Sequence, residues 1–159
     1  MSLESVRLFL AEHAPDIMVI DQGASTATVA DAAETLGVLP GQIAKTLSVR
    51  VGDRVMLIVA RGDARLDNRK TKDALGARPR MLGAEEVETL TGHPVGGVCP
   101  FGLATPLPVY CDLSLRDFDL VYPAAGSRTA SICLTPDRLA DLVDGRWIDV
   151  CQPPSAPSS

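Results

Sequence analysis

The stretch KTLSVRVGDRVMLIVA, residues 45–60, most narrows what this chain can fold into. Leu47, Val49 and Val51 alternate with polar residues, the pattern of a strand with one face turned to a core. Gly52-Asp53 supplies a tight turn, and Val55 to Ala60 follow as an unbroken apolar run. Together they predict a β-hairpin whose second strand is buried on both faces.

Around this hairpin the chain reads as mixed helix and strand. Leu3, Val6, Phe9 and Leu10 share one face of a helix over 3–13, which Pro15 stops. Residues 16–20, DIMVI, read as a strand. A helix over 26–36 has Ser25 or Thr26 as its N-cap and Gly37 at its end. Asp67 caps a short helix to Leu75, and another over 84–90 ends at Gly92. Strands are expected around 107–112, 119–124 and 130–134. Thr135-Pro136 opens a last helix over 137–143, and RWIDVC at 146–151 closes the sheet. Without a strict βαβ rhythm, the class is α+β around a mixed, mostly antiparallel sheet. The final QPPSAPSS, 152–159, reads as a disordered tail after one domain over 1–151.

The 159 residues suit one domain, and 46% apolar with 22% charged residues describes a soluble globular protein. Aromatics are only 4%, so the interior is built from small aliphatic side chains, which leaves room for a pocket. No apolar run approaches the roughly 20 residues of a membrane span, and no secretory signal opens the chain. A cytoplasmic protein without a membrane partner is expected. Cys99, Cys111, Cys133 and Cys151 are widely spaced, and His13 and His93 are the two histidines, so neither a metal site nor another cofactor is expected. The net charge is −5, yet the window from Lys45 to Arg80 carries +6 and the remainder −11. A basic face on an acidic protein either holds a polyanion or is a solvated, salt-bridged surface. Arg69, Lys70 and Lys72 are its densest cluster.

Three features carry candidate chemistry. Lys45, in GQIAKTLSV, is one of three lysines and enters a buried strand. There it either snorkels to water or meets a phosphate, a hydroxyl or a developing oxyanion. The second is GHPVGGVCPFG, residues 92–102, with four glycines and two prolines. Gly96-Gly97-Val98-Cys99 can present backbone N–H groups to an oxyanion, although many such loops are only tight turns. The third, AAGSR at 124–128, offers the Ser127 hydroxyl and the Arg128 guanidinium, or is a plain turn. The Walker, HExxH, GxSxG and GxGxxG patterns are missing. A Cys99–His93 dyad is conceivable, but the two lie six residues apart in a turn and nothing in the sequence points to an orienting third group, with Asp112 the one carboxylate left open for it.

QIAKTL, the paired strands after it, the Gly92–Gly102 loop and AAGSR occur in an order that resembles the YbaK/ProX family. These are free-standing relatives of the editing domain inserted in bacterial prolyl-tRNA synthetases. The resemblance runs from about Leu3 to Cys151, and it implies that family's fold, a curved sheet flanked by helices. It also implies hydrolysis of the ester between a wrong amino acid and its tRNA. Lys45 would then hold the terminal adenosine and the ester, and Gly96, Gly97, Val98, Cys99 and Pro100 would surround the aminoacyl group. His93, Ser127, Arg128 and Asp112 are candidate substrate contacts, and Arg69, Lys70 and Lys72 candidate tRNA contacts. A synthetase is a possible partner of the implied aminoacyl-tRNA complex. Small side chains such as alanine, serine, threonine or cysteine suit the implied pocket. Two other readings stand beside this one: a binding module without turnover, and a thiol hydrolase using Cys99.

Overall fold

The computed structural model describes residues 2–152. Its elements are α1 (Ser2–His13), β1 (Ile20–Asp21), α2 (Val29–Leu36), β2 (Ile43–Val51), β3 (Arg54–Arg61), β4 (Arg65–Leu66) and α3 (Asn68–Leu75). They continue with β5 (Pro79–Met81), α4 (Ala84–Thr91), β6 (Val109–Asp112), β7 (Tyr122–Pro123), β8 (Ala130–Ser131), α5 (Pro136–Leu142), β9 (Arg146–Ile148) and β10 (Cys151–Gln152). The fold is a single α+β domain.

The predicted hairpin is the spine. β2 and β3 pair antiparallel with Leu47 opposite Ile58 and Val49 opposite Met56. The main sheet runs β5-β2-β3-β6-β9, and β7 also joins β2. Its longest ladder is antiparallel, while β6, β7 and β9 pair in parallel. Side-chain alternation divides β2 and β3 between two cores. Ala44, Leu57 and Val59 face α1 and α5, packing with Val6, Leu10 and Leu139. Val49, Val51, Met56, Ile58 and Ala60 pack on the other face with Val150 and Cys151. Met56 to Ala60 are therefore buried on both faces, as the apolar run requires.

Several strands are shorter than the sequence implies. Of residues 16–20 only Ile20 enters a ladder, and Met18 is exposed, because just two residues of β1 find a partner in β8. The run 119–124 contributes β7 and an isolated bridge on each side of it, Val121 to Leu134 and Ala124 to Ser131, rather than one continuous strand. The final strand breaks in two because the Val150 N–H donates to the buried Asp112 carboxylate at 2.8 Å instead of joining the ladder. β10 turns to β4, so Gln152, expected in the tail, is a strand residue; residues 153–159 lie outside the described residues. The N-cap of α2 is Thr28, whose hydroxyl accepts from the Asp31 N–H at 3.0 Å; neither Ser25 nor Thr26 caps it. Among the described residues no helix is long and apolar enough to cross a membrane.

Gly62 shows how closely the hairpin seats on the segment before it. A Cβ there would press on the Pro40 carbonyl and lie 2.9 Å from that of Ile43. Gly62→Ala is expected to destabilise the fold by about 1–3 kcal/mol, read from urea unfolding, because backbone rather than a mobile side chain must yield.

Candidate active site at an open strand edge

β2 has β3 along one edge and two different strands along the other. β7 pairs with Ile43 and Ala44, and β5 pairs with Val49 to Val51. Between them the edge has no strand partner. The Leu82 N–H donates to the Ser48 carbonyl at 3.0 Å, which fixes the phase of the strand. Peptide groups of alternate residues point to the same edge, so the N–H and C=O of Thr46 face the gap. A cavity of about 320 Å³ opens there, within the size range of small-molecule sites. Its walls come from β2, the start of α2, α4, the Gly/Pro loop and the strands after it.

Lys45 lines this cavity. Its ammonium donates to the Ala64 carbonyl, which ties the side chain to the turn after β3. Burial lowers its pKa, and the charge of Asp63 opposes this more weakly. From the loop, Val95, Gly96 and Val98 reach the cavity, whereas Gly97, Cys99 and Pro100 do not line it. The Gly97 N–H already donates to the Pro94 carbonyl at 2.8 Å, so the loop is not a row of free donors. The amides of Gly96 and Val98 make no hydrogen bond to protein among the described residues. Glycine is needed here for contact as well as for turning. A Cβ on Gly97 would lie 2.7 Å from the Ser127 backbone, and Gly96, at φ +95°, has the Ala27 methyl 2.9 Å from where its own would be.

Arg128 and Ser127 brace this loop. The Arg128 Nε donates to the Val95 carbonyl at 2.9 Å, and its own carbonyl accepts from the Thr26 N–H at 2.7 Å. The exposed arginine thus joins the Gly/Pro loop to the segment before α2. Ser127 Oγ accepts from the Thr129 N–H and holds its own turn.

Three expected site residues lie elsewhere. Asp112 is buried, and its carboxylate accepts from the N–H groups of Ser114 and Val150, fixing two loops. His93 is fully buried behind the cavity, its Nε2–H donating to the Phe101 carbonyl at 2.7 Å. Cys99 Sγ does lie 3.6 Å from His93 Nε2, as a dyad would need. The pair is nonetheless sealed in the core: Cys99 has no exposure, and burial pushes its thiol up to about 12. A thiolate nucleophile is disfavoured there. Among the described residues no group of three or more His, Cys, Asp or Glu converges as a metal site.

The cavity also contains residues not singled out from the sequence as site residues: Thr46, Ser48, Tyr122 and Ser131, with Thr26 freed by the shift of the α2 cap. Thr46 and Ser48 carried a signal. They form the polar half of the KTLSV alternation on a strand that is covered on both faces. Of the basic cluster, Lys70 is tied to Asp149 at 3.1 Å and to the Cys151 carbonyl. Arg69 and Lys72 are exposed and form no ion pair among the described residues. Arg78 and Arg80 are likewise exposed on or beside β5, next to Met81 at the cavity wall.

His93 carries a pH consequence. Its Nδ1 is buried without a partner among the described residues, and burial lowers its pKa below the ordinary 6.5. The unfolded chain takes up the proton first, so this contribution is complete above pH 6.5 and is lost as pH falls from there toward the lower folded value. Unfolding free energies from urea titrations should fall between pH 7 and 5, by at most about 1.4 kcal/mol per pH unit, and His93→Gln should flatten that slope.

Comparison with known proteins matches this architecture. Residues 24–142 fit the family model described as an aminoacyl-tRNA editing domain. The Bacillus subtilis protein YwhH is 49% identical over 96% of this chain and 98% of its own length. The proline–tRNA ligase of Moorella thermoacetica is 37% identical over 55% of this chain, but the match spans only 15% of that ligase. A crystal structure of a candidate trans-editing enzyme for prolyl-tRNA synthetase superposes with a TM-score of 0.87 at 33% identity, covering 96% of this chain and 98% of that one. The chain belongs to the aminoacyl-tRNA editing domain family.

Proposed function

We propose that this chain is a free-standing aminoacyl-tRNA deacylase, which hydrolyses a small, wrongly attached amino acid from a proline-accepting or related tRNA. The observation that carries the reading is one cavity. QIAKTL and the Gly/Pro loop, far apart in sequence, supply neighbouring walls of it through Lys45 and through Gly96 and Val98. An aminoacyl ester is already activated, so positioning and charge stabilisation suffice without a protein nucleophile. Water adds to the ester carbonyl, the bond from that carbon to the ribose oxygen breaks, and the ribose leaves as a free hydroxyl. Lys45 and the uncommitted amides of Gly96 and Val98 are the donors offered to the oxyanion. Gly97 and Pro100 support the loop from behind. A synthetase that delivers the charged tRNA is the partner this role calls for.

The tRNA body is assigned to the basic face. Arg69 and Lys72 are joined by Arg78 and Arg80, which lead along β5 to the cavity wall. Contacts of this kind go to phosphates and carry little sequence information. Neutralising Arg69 and Lys72 together should weaken tRNA binding and reduce the slope of log affinity against log salt by about one for each phosphate left without its cation. An unchanged slope would remove the basic face from the interface.

The activity is tested on tRNAs charged with alanine, serine, threonine, cysteine or proline. Release of one or more small residues with prolyl-tRNA spared is the expected result. Lys45→Ala should cost about 10²- to 10³-fold, the scale of losing one oxyanion donor. Cys99→Ala should keep its activity, because the thiol does not reach the cavity. A folded Cys99→Ala protein without activity would favour the thiol hydrolase, and tRNA binding without release would favour a binding module.

A further inference from the structure

The Lys45 ammonium donates to the Ala64 carbonyl, a backbone group in the turn that joins β3 to β4. An ammonium has N–H bonds to spare after this contact, and Lys45 lines the cavity. Its long, flexible stem aims those bonds well only where something firm holds its end. The direction of the remaining donors therefore depends on how rigidly the turn is held.

The turn is held by Arg61 and Asp63. The Arg61 Nε donates to Asp63 Oδ1 at 2.5 Å and its Nη2 to Asp63 Oδ2 at 3.0 Å, a fork that fixes both side chains. The Ala64 N–H donates to the Arg61 carbonyl at 3.0 Å and closes the turn. Arg61 is itself set in place. Its backbone N–H donates to Ser114 Oγ at 3.2 Å, and its Nη1 to the more exposed Asp117 at 2.9 Å. Its guanidinium also lies 4.9 Å from the centre of the Phe118 ring. Neither Arg61 nor Asp63 lines the cavity. An ion pair this open to solvent adds little stability by itself. Electrostatics point the same way. Burial lowers the Lys45 pKa, Cys151 of β10 and Asp63 oppose that, and Arg65 of β4 adds to it. Burial and Asp112 push the Cys151 thiol up to about 12, so Asp63 is the carboxylate among these neighbours that supports the charged amine.

We propose that Asp63 is a positioning residue for Lys45: through its fork with Arg61 it locks the turn over 61–64, and so fixes the carbonyl that aims the ammonium. The catalytic consequence rests on the deacylase reading above and adds to that site a residue outside the cavity. A misplaced donor loses much of its effect on a transition state while the rest of the substrate still binds. Loss of Asp63 should therefore fall on kcat rather than on KM.

The test sets Asp63→Ala and Asp117→Ala beside the native protein. Deacylation is followed with the small-residue esters on one proline-accepting tRNA, and the lysine side chains, which number three, are titrated by NMR. Asp63→Ala should lower kcat about tenfold or more, with KM within about twofold of native. It should also move the Lys45 titration to lower pH, because the supporting carboxylate is gone. Asp117→Ala should leave both readings near native, since Asp63 still holds Arg61. Thermal midpoints check that each variant is folded. Where Asp63→Ala is not, Asp63→Asn keeps an acceptor, removes the charge and reads the same titration. Native kcat and an unmoved Lys45 titration in the folded Asp63 variant overturn the proposal. Equal losses in the two variants also overturn it, because the effect would then belong to the anchoring of Arg61 in general. A native protein that cleaves none of the esters overturns the deacylase reading, and the Lys45 titration still decides the positioning.

Discussion

The interaction on which the rest of this structure depends is the incomplete pairing of β2. Its inner edge is fully occupied by β3, but its outer edge is shared by two short strands that do not meet. β5 ends because the chain turns away at Gly83 to begin α4, after Leu82 has used the Ser48 carbonyl. β7 ends because Ala124 bridges instead to Ser131. Between them Thr46 turns an unpaired peptide group outward. A strand edge is usually covered or blunted. Here it is roofed at a distance by α2, α4 and the Gly/Pro loop, and the space left over is the cavity.

That roof holds its shape through backbone contact. Gly96 and Gly97 fit between Ala27 and the Ser127 backbone with no room for a side chain, and the Gly126 N–H donates to the Gly97 carbonyl at 3.0 Å. Arg128 then ties both sides together through one guanidinium nitrogen and one carbonyl. Behind the loop, His93, Cys99 and Phe101 form a buried group in which the imidazole satisfies a carbonyl. The residues that looked most reactive in the sequence are thus the ones that hold the wall, and the cavity surface itself is mostly peptide and small side chains.

What was legible in the sequence is what local chemistry dictates. The hairpin followed from alternation and a Gly-Asp turn. The caps at Asp67 and Thr135 followed from side chains that reach the next turn, both confirmed by bonds to Lys70 and Arg138 N–H groups. Lys45 and the Gly/Pro loop were picked out as unusual, and both border the cavity. What stayed hidden depends on distant partners. The two-residue strands exist only where a neighbour passes. Asp112 reads as an available carboxylate until Val150 is seen to use it. Thr26 reads as a cap until Thr28 takes that place, and Lys70 reads as free until Asp149 approaches.

The central claim is that the aminoacyl group sits at the open edge of β2. It is tested most directly by titrating the protein with a non-hydrolysable 3′-aminoacylamino adenosine and following backbone amide resonances. The account predicts that Thr46, Ser48, Gly96 and Val98 shift together and saturably, with Asp112 and the α3 amides little changed. Saturable shifts centred on another surface, with Thr46 and Val98 unmoved, would contradict it.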